Sequence, residues 1–152
     1  MTGTLKRILL AEDSPEDVEL TLAALEEHHL ANGVVVVADG VEALDYLHRR
    51  GSFRDRAAGN PAVVLLDLKM PRLDGLEVLK DMKADDKLHA IPVVMLTSSR
   101  EESDIVESYQ LGVNAYVVKP VVFQEFLNAV KNLGLFWAVL NEPPPGSARK
   151  VA

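Results

Sequence analysis

The sequence AVVLLDLKMPRLDG at residues 62–75 joins a short apolar run to Asp67 and then to a loop that contains Pro71 and Gly75. An apolar run of this length, rich in branched side chains, is typical of a strand buried on both faces of a parallel sheet. The proline and glycine that follow predict turns, so the strand ends near Asp67. Asp67 is therefore expected at the carboxyl edge of a sheet, where open α/β folds bind their ligands.

Three other apolar runs end at polar residues in the same way. The runs are RILLA, VVML and YVV, and the residues that follow them are Glu12 and Asp13, Thr97, and Lys119, respectively. If these strands are parallel, three carboxylates, a hydroxyl and an ammonium group share one cleft. A carboxylate at a single strand end is usually a helix cap or a solvated turn residue, but its recurrence at several strand ends favours a shared site.

Strand-like and helix-like segments alternate five times along the chain, which predicts an α/β fold: a doubly wound, five-stranded parallel sheet with helices on both faces. The predicted strands cover residues 7–11, 34–38, 62–66, 93–97 and 115–118. A chain of 152 residues with 48% hydrophobic side chains is long enough for one domain with a full core.

The helices are indicated by caps and by apolar residues at helical spacing. Ser14 and Asp17 have the spacing of a capping box around Pro15, and this helix is expected to end near residue 29. Further helices are predicted over residues 41–50, 76–82, 102–111 and 126–133, the fourth opened by a capping box of Ser99 and Glu102 and ended by Gly112. Residues 51–61 are predicted to form a long exposed loop.

The composition excludes several classes of protein. The chain has no cysteine, so disulfides, thiolate metal sites and cysteine nucleophiles are excluded. Its formal net charge of -7 is opposite to that of a surface that binds a phosphate backbone, so direct nucleic-acid binding is not expected. Apolar stretches are too short to span a membrane and Glu12 and Asp13 interrupt the first, which favours a soluble cytoplasmic protein without membrane contact.

The acidic residues predict a site for a hard divalent cation. Two carboxylates about 4 Å apart repel by roughly 4 kcal/mol at an effective dielectric near 20, so Glu12, Asp13 and Asp67 need either protons or a cation. Oxygen ligands favour Mg²⁺, which shares its coordination with phosphate. Lys119 could hold phosphoryl oxygens on the other side of the ion, and Thr97 could add a hydroxyl donor.

Asp67 is the candidate nucleophile of this site. A carboxylate directed at a phosphoryl group can accept it as an aspartyl phosphate. Turns at Pro71 and Gly75 could direct the backbone amides of Leu68 and Lys69 toward that phosphate.

Taken together, these residues resemble the receiver domain of two-component response regulators, related to the bacterial chemotaxis regulator. We expect the receiver domain over residues 5–133. The resemblance is carried by Glu12 and Asp13, Asp67 within VVLLDLKMPRLDG, Thr97 within VVMLTS, and Lys119 followed by Pro120. It implies a flavodoxin-like fold with five strand–helix units and strand order 2-1-3-4-5.

The resemblance also implies how phosphate is accepted. Asp67 would take the phosphoryl group from the phosphohistidine of a histidine kinase. Asp13, Asp67 and the backbone carbonyl of Lys69 would bind Mg²⁺ directly, and Glu12 would bind it through a water molecule. The chain would then be a signalling receiver that catalyses only its own phosphorylation and dephosphorylation.

The same resemblance implies how phosphate becomes a signal. Thr97, Lys119 and the amide of Ser98 would hold the phosphoryl oxygens, and the bond before Pro120 would be cis, a minority state even for proline. Tyr116 would rotate after the threonine hydroxyl moves, although a half-buried aromatic without a switching role is the alternative. The switch would act on the face formed by the fourth helix, fifth strand and fifth helix, for partner binding or dimerisation.

The C-terminal sequence differs from the rest. A hydrophobic aromatic extension is expected at residues 134–140, and a proline-containing flexible tail at 141–152. With the long loop at 51–61, this ending resembles the small receivers that serve bacterial phytochrome kinases. Phe136 and Trp137 are expected to form a homodimer interface, and packing against the fifth helix is the alternative.

Two other functions compete with the receiver. One is a phosphohydrolase of the haloacid dehalogenase type, which needs an aspartate two residues after the nucleophile as acid and base, where this chain has Lys69. The other is a receiver-like scaffold that binds partners without phosphorylation, which the intact acidic, hydroxyl and lysine positions disfavour.

Overall fold

The computed structural model describes residues 7–26, 33–97, 102–113, 115–119 and 124. The strands are β1 (Ile8–Ala11), β2 (Val34–Val37), β3 (Val63–Asp67), β4 (Val93–Thr97) and β5 (Ala115–Val118). The helices are α1 (Pro15–Glu26), α2 (Gly40–His48), α3 (Gly75–Lys83) and α4 (Glu102–Gln110).

The strands form one parallel sheet in the order β2-β1-β3-β4-β5, which confirms the predicted fold class and strand order. The strand boundaries agree with the sequence prediction to within one residue at each end. After β1 the chain adds β2 on one side of it, and then β3, β4 and β5 on the other side, so the order of strand addition reverses between β1 and β3. The crevice at the carboxyl ends of these two strands is therefore the topological switch point, where such sheets bind ligands.

The central strands β1, β3 and β4 are buried on both faces of the sheet. Along β1, Leu9 and Ala11 belong to one hydrophobic cluster, whereas Ile8 and Leu10 belong to the other. The first cluster is completed by α2 and α3 through Ala43, Leu44, Leu47, Val78, Leu79 and Met82. The second is completed by α1 through Ala24 and Leu25. Burial on both faces explains why the strands are continuous apolar runs rather than alternating ones.

The predicted capping box of α1 is only half formed. The amide of Asp17 donates to Ser14 Oγ at 3.3 Å, as predicted. However, the amide of Ser14 donates to Glu12 Oε2 at 3.2 Å instead of to Asp17. The carboxylate of Asp17 is therefore not used to cap this helix.

The long connection after α2 contains a 3₁₀ turn at Gly51–Phe53, and the side chain of Arg56 holds much of it. Arg56 donates to the carbonyl oxygens of Tyr46, Ala57 and Gly59 at 2.7, 2.8 and 3.0 Å, and its guanidinium lies 4.1 Å from the centre of the Tyr46 ring. Charge-assisted hydrogen bonds and a cation–π contact stabilise a segment that the sequence predicted only as an exposed loop.

Several sequence predictions lie outside the described residues. They concern the end of the first helix beyond Glu26, the cap at Ser99, the amide of Ser98, the bond before Pro120, the fifth helix, and the extension and tail at residues 134–140 and 141–152. Among the described helices, none is long and apolar enough to cross a membrane.

Candidate functional site

The sheet brings Glu12, Asp67 and Lys119 to its carboxyl edge. Glu12 follows β1, and its amide continues the sheet by donating to the Val37 carbonyl at 3.0 Å. Asp67 is the last residue of β3, and Lys119 immediately follows β5. Strands β1, β3, β4 and β5 are consecutive neighbours in the sheet, so residues distant in sequence meet in one cleft.

The ammonium group of Lys119 lies at the centre of this cleft. It donates to Glu12 Oε1 at 2.8 Å, to Asp17 Oδ2 at 2.8 Å and to Asp67 Oδ2 at 3.3 Å. A lysine has three N–H donors, so these bonds use its full donor capacity. Glu12 and Asp67 are buried, and the Lys119 ammonium balances part of their charge.

Glu12, Asp13 and Asp67 together fit a divalent cation. Each offers a carboxylate oxygen, and the three oxygens lie within 4.8 Å of one another. Asp13 is exposed, whereas Glu12 and Asp67 are buried, so the group opens to solvent on one side. A set of oxygen donors with excess negative charge suits a hard ion such as Mg²⁺ or Mn²⁺.

The surroundings of Asp67 change its acidity. Burial, and then the hydrogen-bonding and charge of the neighbouring Glu12 carboxyl, raise the pKa of Asp67 from 3.8 to about 7, although Lys119 acts in the opposite direction. Without a cation, Asp67 therefore binds a proton up to near-neutral pH. A pKa raised in this way marks the site as unusual, since ordinary aspartates are ionised well below pH 7.

The pKa of Lys119 is shifted in the direction that keeps its ammonium group charged. Burial alone would lower the pKa of Lys119, but its hydrogen bonds to Asp17 and Glu12 and the charge of Asp67 raise that pKa above the ordinary value. Lys119 is therefore a permanent cation in this site at any physiological pH.

The loop after β3 provides one amide to Asp67, rather than the two that the sequence suggested. The Lys69 amide points at Asp67 Oδ1 with a separation of 3.4 Å. The Leu68 amide instead donates to the Leu96 carbonyl at 3.3 Å, because β3 and β4 remain paired there. The prediction that Leu68 faces the phosphate is therefore corrected, since its N–H is used by the sheet.

Gly75 positions this loop for a reason that differs from the one predicted. Gly75 lacks a positive φ, so it does not act through a left-handed turn. A methyl group at this position would overlap the carbonyl oxygen of Asp67, and the Gly75 amide donates to the Leu68 carbonyl at 2.8 Å. The missing side chain lets α3 begin directly against the end of β3.

Two further contacts at this edge were missed by the sequence analysis. Asp17, expected only as a capping residue, bonds Lys119 from the first turn of α1. Arg72, in the loop after β3, forms a salt bridge of 2.8 Å to Asp39, the N-cap of α2, and so ties two loops of the edge together. Both pairs join residues far apart in sequence, and a single sequence carries no local signal for such contacts.

The remaining predicted residues are located only in part. Thr97 is the last residue of β4, with its backbone opposite Val118, next to Lys119 in the chain. Tyr116 lies in β5 opposite Met95 and is half-buried against the larger hydrophobic cluster. Phe136 and Trp137 lie outside the described residues.

The sequence of this chain matches a known protein family. The model of the response regulator receiver domain matches residues 8–131 of this chain. The chain is also 36% identical over 132 residues to the response regulator Rcp1 of Synechocystis sp., covering 87% of this chain and 88% of that protein. The chain belongs to the response regulator receiver domain family, the phosphoacceptor proteins of two-component signalling.

Solved structures of similar proteins share the fold. The bacteriophytochrome response regulator RtBRR is 64% identical, with a TM-score of 0.82 over 95% of this chain and 87% of that one. The phosphorylated cyanobacterial phytochrome response regulator RcpA is 40% identical, with a TM-score of 0.73 over 88% and 94%. A Mn²⁺-bound structure of Rcp1 is 35% identical, with a TM-score of 0.72 over 91% and 96%.

Proposed function

We propose that Asp67 is the residue of this receiver that accepts the phosphoryl group. The observation that carries the proposal is the contact of the buried Asp67 carboxylate with the Lys119 ammonium at 3.3 Å, beside the carboxylates of Glu12 and Asp13. Asp67 is the one member of the group that ends a central strand of the sheet, at the switch point between β1 and β3.

The chemistry is a transfer between two nucleophiles. An oxygen of the Asp67 carboxylate attacks phosphorus, a P–O bond forms, and the P–N bond to the kinase histidine breaks, so that the imidazole leaves with the electron pair and takes up a proton. Lys119 and the Lys69 amide supply donors for the phosphoryl oxygens. By the family resemblance, Thr97 and the Ser98 amide supply two more.

The resident ion of the site is proposed to be Mg²⁺. Asp13 and Asp67 would bind it directly with the Lys69 carbonyl, and Glu12 would bind it through water. A bound divalent cation neutralises charge on the phosphoryl oxygens and favours the ionised form of Asp67. Glu12, Asp13 and Asp67 would hold the ion, and it would add positive charge to that of Lys119 near the Asp67 carboxylate.

A phosphohydrolase remains the weaker function. The position two residues after Asp67 holds Lys69, which is exposed and cannot supply the carboxyl that protonates a leaving alcohol. The scaffold without phosphorylation is weaker too, because the acidic, hydroxyl and lysine positions that phosphorylation uses are intact, and Lys119 contacts Glu12 and Asp67.

The proposed donor is a histidine kinase, and specifically a bacteriophytochrome. Support for the specific kinase comes from the 64% identity to RtBRR, a bacteriophytochrome response regulator. Light absorbed by the kinase would then set the phosphorylation state of Asp67. A cytoplasmic location follows from such a donor and is part of the same proposal.

The proposed output is a change of surface and of assembly. Tyr116, half-buried in β5 and three residues before Lys119, is the candidate that transmits the change to α4 and β5. Reversing a 1:99 population takes roughly 5.5 kcal/mol, which a dianion that gains several charge-assisted donors can supply. Phe136 and Trp137, in the extension over residues 134–140 that follows a receiver domain over residues 5–133, are proposed to form a homodimer contact.

Incubation with Mg²⁺ and acetyl phosphate should add the mass of one phosphoryl group to the chain. The Asp67→Asn variant should gain none, because an amide cannot act as the acceptor. Intact mass spectrometry measures both. A phosphorylated bacteriophytochrome kinase should transfer its label to the wild-type chain and not to the variant. An adduct that persists in Asp67→Asn would overturn the assignment.

A second experiment on the wild-type chain tests the proposed switch and the proposed dimer. Amide chemical shifts between Thr97 and Tyr116 should change when beryllofluoride is added in the presence of Mg²⁺, and light scattering should report a dimer. Unchanged shifts would count against the switch at Tyr116, and a monomer under both conditions would remove the dimer. Sustained hydrolysis of a phosphate ester would revive the phosphohydrolase.

A further inference from the structure

Asp17 is the one partner of Lys119 that the chemistry proposed above does not use. It lies in the first turn of α1, and its carboxylate accepts from the Lys119 ammonium at 2.8 Å, as close as that of Glu12 and closer than that of Asp67. The Asp17–Lys119 pair joins residues 102 positions apart. The carboxylate of Asp17 therefore links the first turn of α1 to the residue that follows β5, and it does not cap the helix.

The carboxylates of Glu12, Asp17 and Asp67 occupy the three N–H groups of Lys119. Any phosphoryl oxygen that binds Lys119 has to replace one of the present acceptors, because the lysine has no further donor. The side chain of Glu12 is 1% exposed, so its carboxylate would be left without water if it lost Lys119. The side chain of Asp17 is 33% exposed and can turn to solvent. Of these two 2.8 Å bonds, the one to Asp17 is therefore lost at lower cost than the one to Glu12.

We propose that Asp17 is a positioning residue that holds Lys119 toward α1 in the unphosphorylated chain and gives it up when a phosphoryl group occupies Asp67. This inference rests on the proposed role of Asp67. In this arrangement Asp17 has two opposite effects. Asp17 draws the ammonium of Lys119 away from Glu12 and Asp67, which favours binding of a divalent cation to those carboxylates. Asp17 also competes with phosphoryl oxygens for the same ammonium, which weakens binding of the phosphoryl group.

Removing the charge of Asp17 should therefore shift two binding constants in opposite directions. In Asp17→Asn, the affinity for Mg²⁺ alone should fall roughly 3- to 10-fold, because the cluster loses a negative charge and Lys119 moves toward Glu12 and Asp67. The affinity for beryllofluoride at saturating Mg²⁺ should rise roughly 3- to 10-fold, because a competitor for Lys119 is gone. Both constants can be measured from amide chemical shifts during titration.

Two matched variants separate positioning from a general effect. Glu16 is exposed on the same helical turn and is not among the acceptors of Lys119, so Glu16→Gln removes the same charge from the same helix end. It should change each constant less than about 2-fold, as expected for a screened charge. Asp17→Glu keeps the carboxylate and should return both constants toward the wild-type values. Circular dichroism of each variant checks that α1 still forms.

The outcomes are distinguishable. If Asp17→Asn weakened binding of both Mg²⁺ and beryllofluoride, or had the same affinities as Glu16→Gln, the role of Asp17 would be overturned. The role of Asp67 would still stand as long as the wild-type chain binds both. A wild-type chain that binds neither Mg²⁺ nor beryllofluoride would overturn both assignments. Opposite shifts that Asp17→Glu reverses support the inference.

Discussion

Asp67→Asn should make the metal-free protein more stable at pH 8 by on the order of 3 kcal/mol, and by about half as much at pH 5.5. The reason is that the pKa of Asp67 is raised from 3.8 to about 7 in the folded chain, first by burial and then by Glu12. The folded state binds the Asp67 proton more tightly than the unfolded state. Between these two pKa values the folded chain therefore carries more protons, and its stability falls as the pH rises.

Asparagine removes this dependence because it cannot ionise. Above pH 7 the wild-type chain has to keep a buried carboxylate beside Glu12, whereas the variant does not. Urea unfolding between pH 5.5 and 8 with a metal chelator measures the difference. Addition of Mg²⁺ should stabilise the wild type more than the variant, since the cation favours the ionised acid.

Asp86→Asn is the control for the loss of a carboxylate as such. Asp86 is exposed in the loop between α3 and β4, away from the acidic cleft, so its replacement should change stability by less than about 0.5 kcal/mol at every pH. If Asp67→Asn were no more stable than the wild type at pH 8 without metal, ionised Asp67 would not be destabilising in the folded chain.

The features that the sequence predicted well are those that depend on local pattern. A strand buried on both faces has to be a continuous apolar run, so the position where the run stops marks the edge of the sheet. Asp67 ends β3 and Lys119 follows β5 within a residue of the expected positions. Parallel pairing then brings these ends together, so much of the site follows from strand positions alone.

The features that were missed depend on where side chains and amides go in three dimensions. Asp17 has the spacing of a capping residue, and only the side chain of Lys119, which reaches α1 from the end of β5, gives its carboxylate a partner. The Leu68 amide follows the acceptor directly, yet β4 extends far enough to bind it through Leu96. Arg56 orders the loop before β3 through backbone carbonyls, which leave no trace in the sequence.

Replacing Lys119 should have the opposite effect on stability to replacing Asp67. Lys119→Gln should destabilise the metal-free protein by on the order of 3 kcal/mol at pH 8, because it leaves the buried Glu12 and Asp67 without their cation. The loss should be smaller at pH 5.5, where Asp67 holds a proton. Chelator-treated protein unfolded in urea at both pH values provides the measurement.

Arg50→Gln is the matched control for Lys119→Gln. Arg50 pairs with Asp45 at 3.1 Å, but its side chain is 56% exposed, so its removal should change stability by less than about 1 kcal/mol. A similarly small change in Lys119→Gln would mean that the buried carboxylates do not depend on the lysine. Saturating Mg²⁺ should restore part of the lost stability, since a divalent cation also compensates the carboxylates.

Combining the two substitutions separates the contribution of the Asp67–Lys119 pair from that of the other carboxylates. If the pair is coupled, Lys119→Gln should be less destabilising in the Asp67→Asn background, by roughly 1–2 kcal/mol, because one of the charges that needs Lys119 is already gone. The remaining loss belongs to Glu12 and Asp17, which accept from the same ammonium at 2.8 Å. Additive effects at pH 8 would show that Lys119 serves only those two carboxylates, and Asp67 would then lack the cation that its role as phosphoryl acceptor requires.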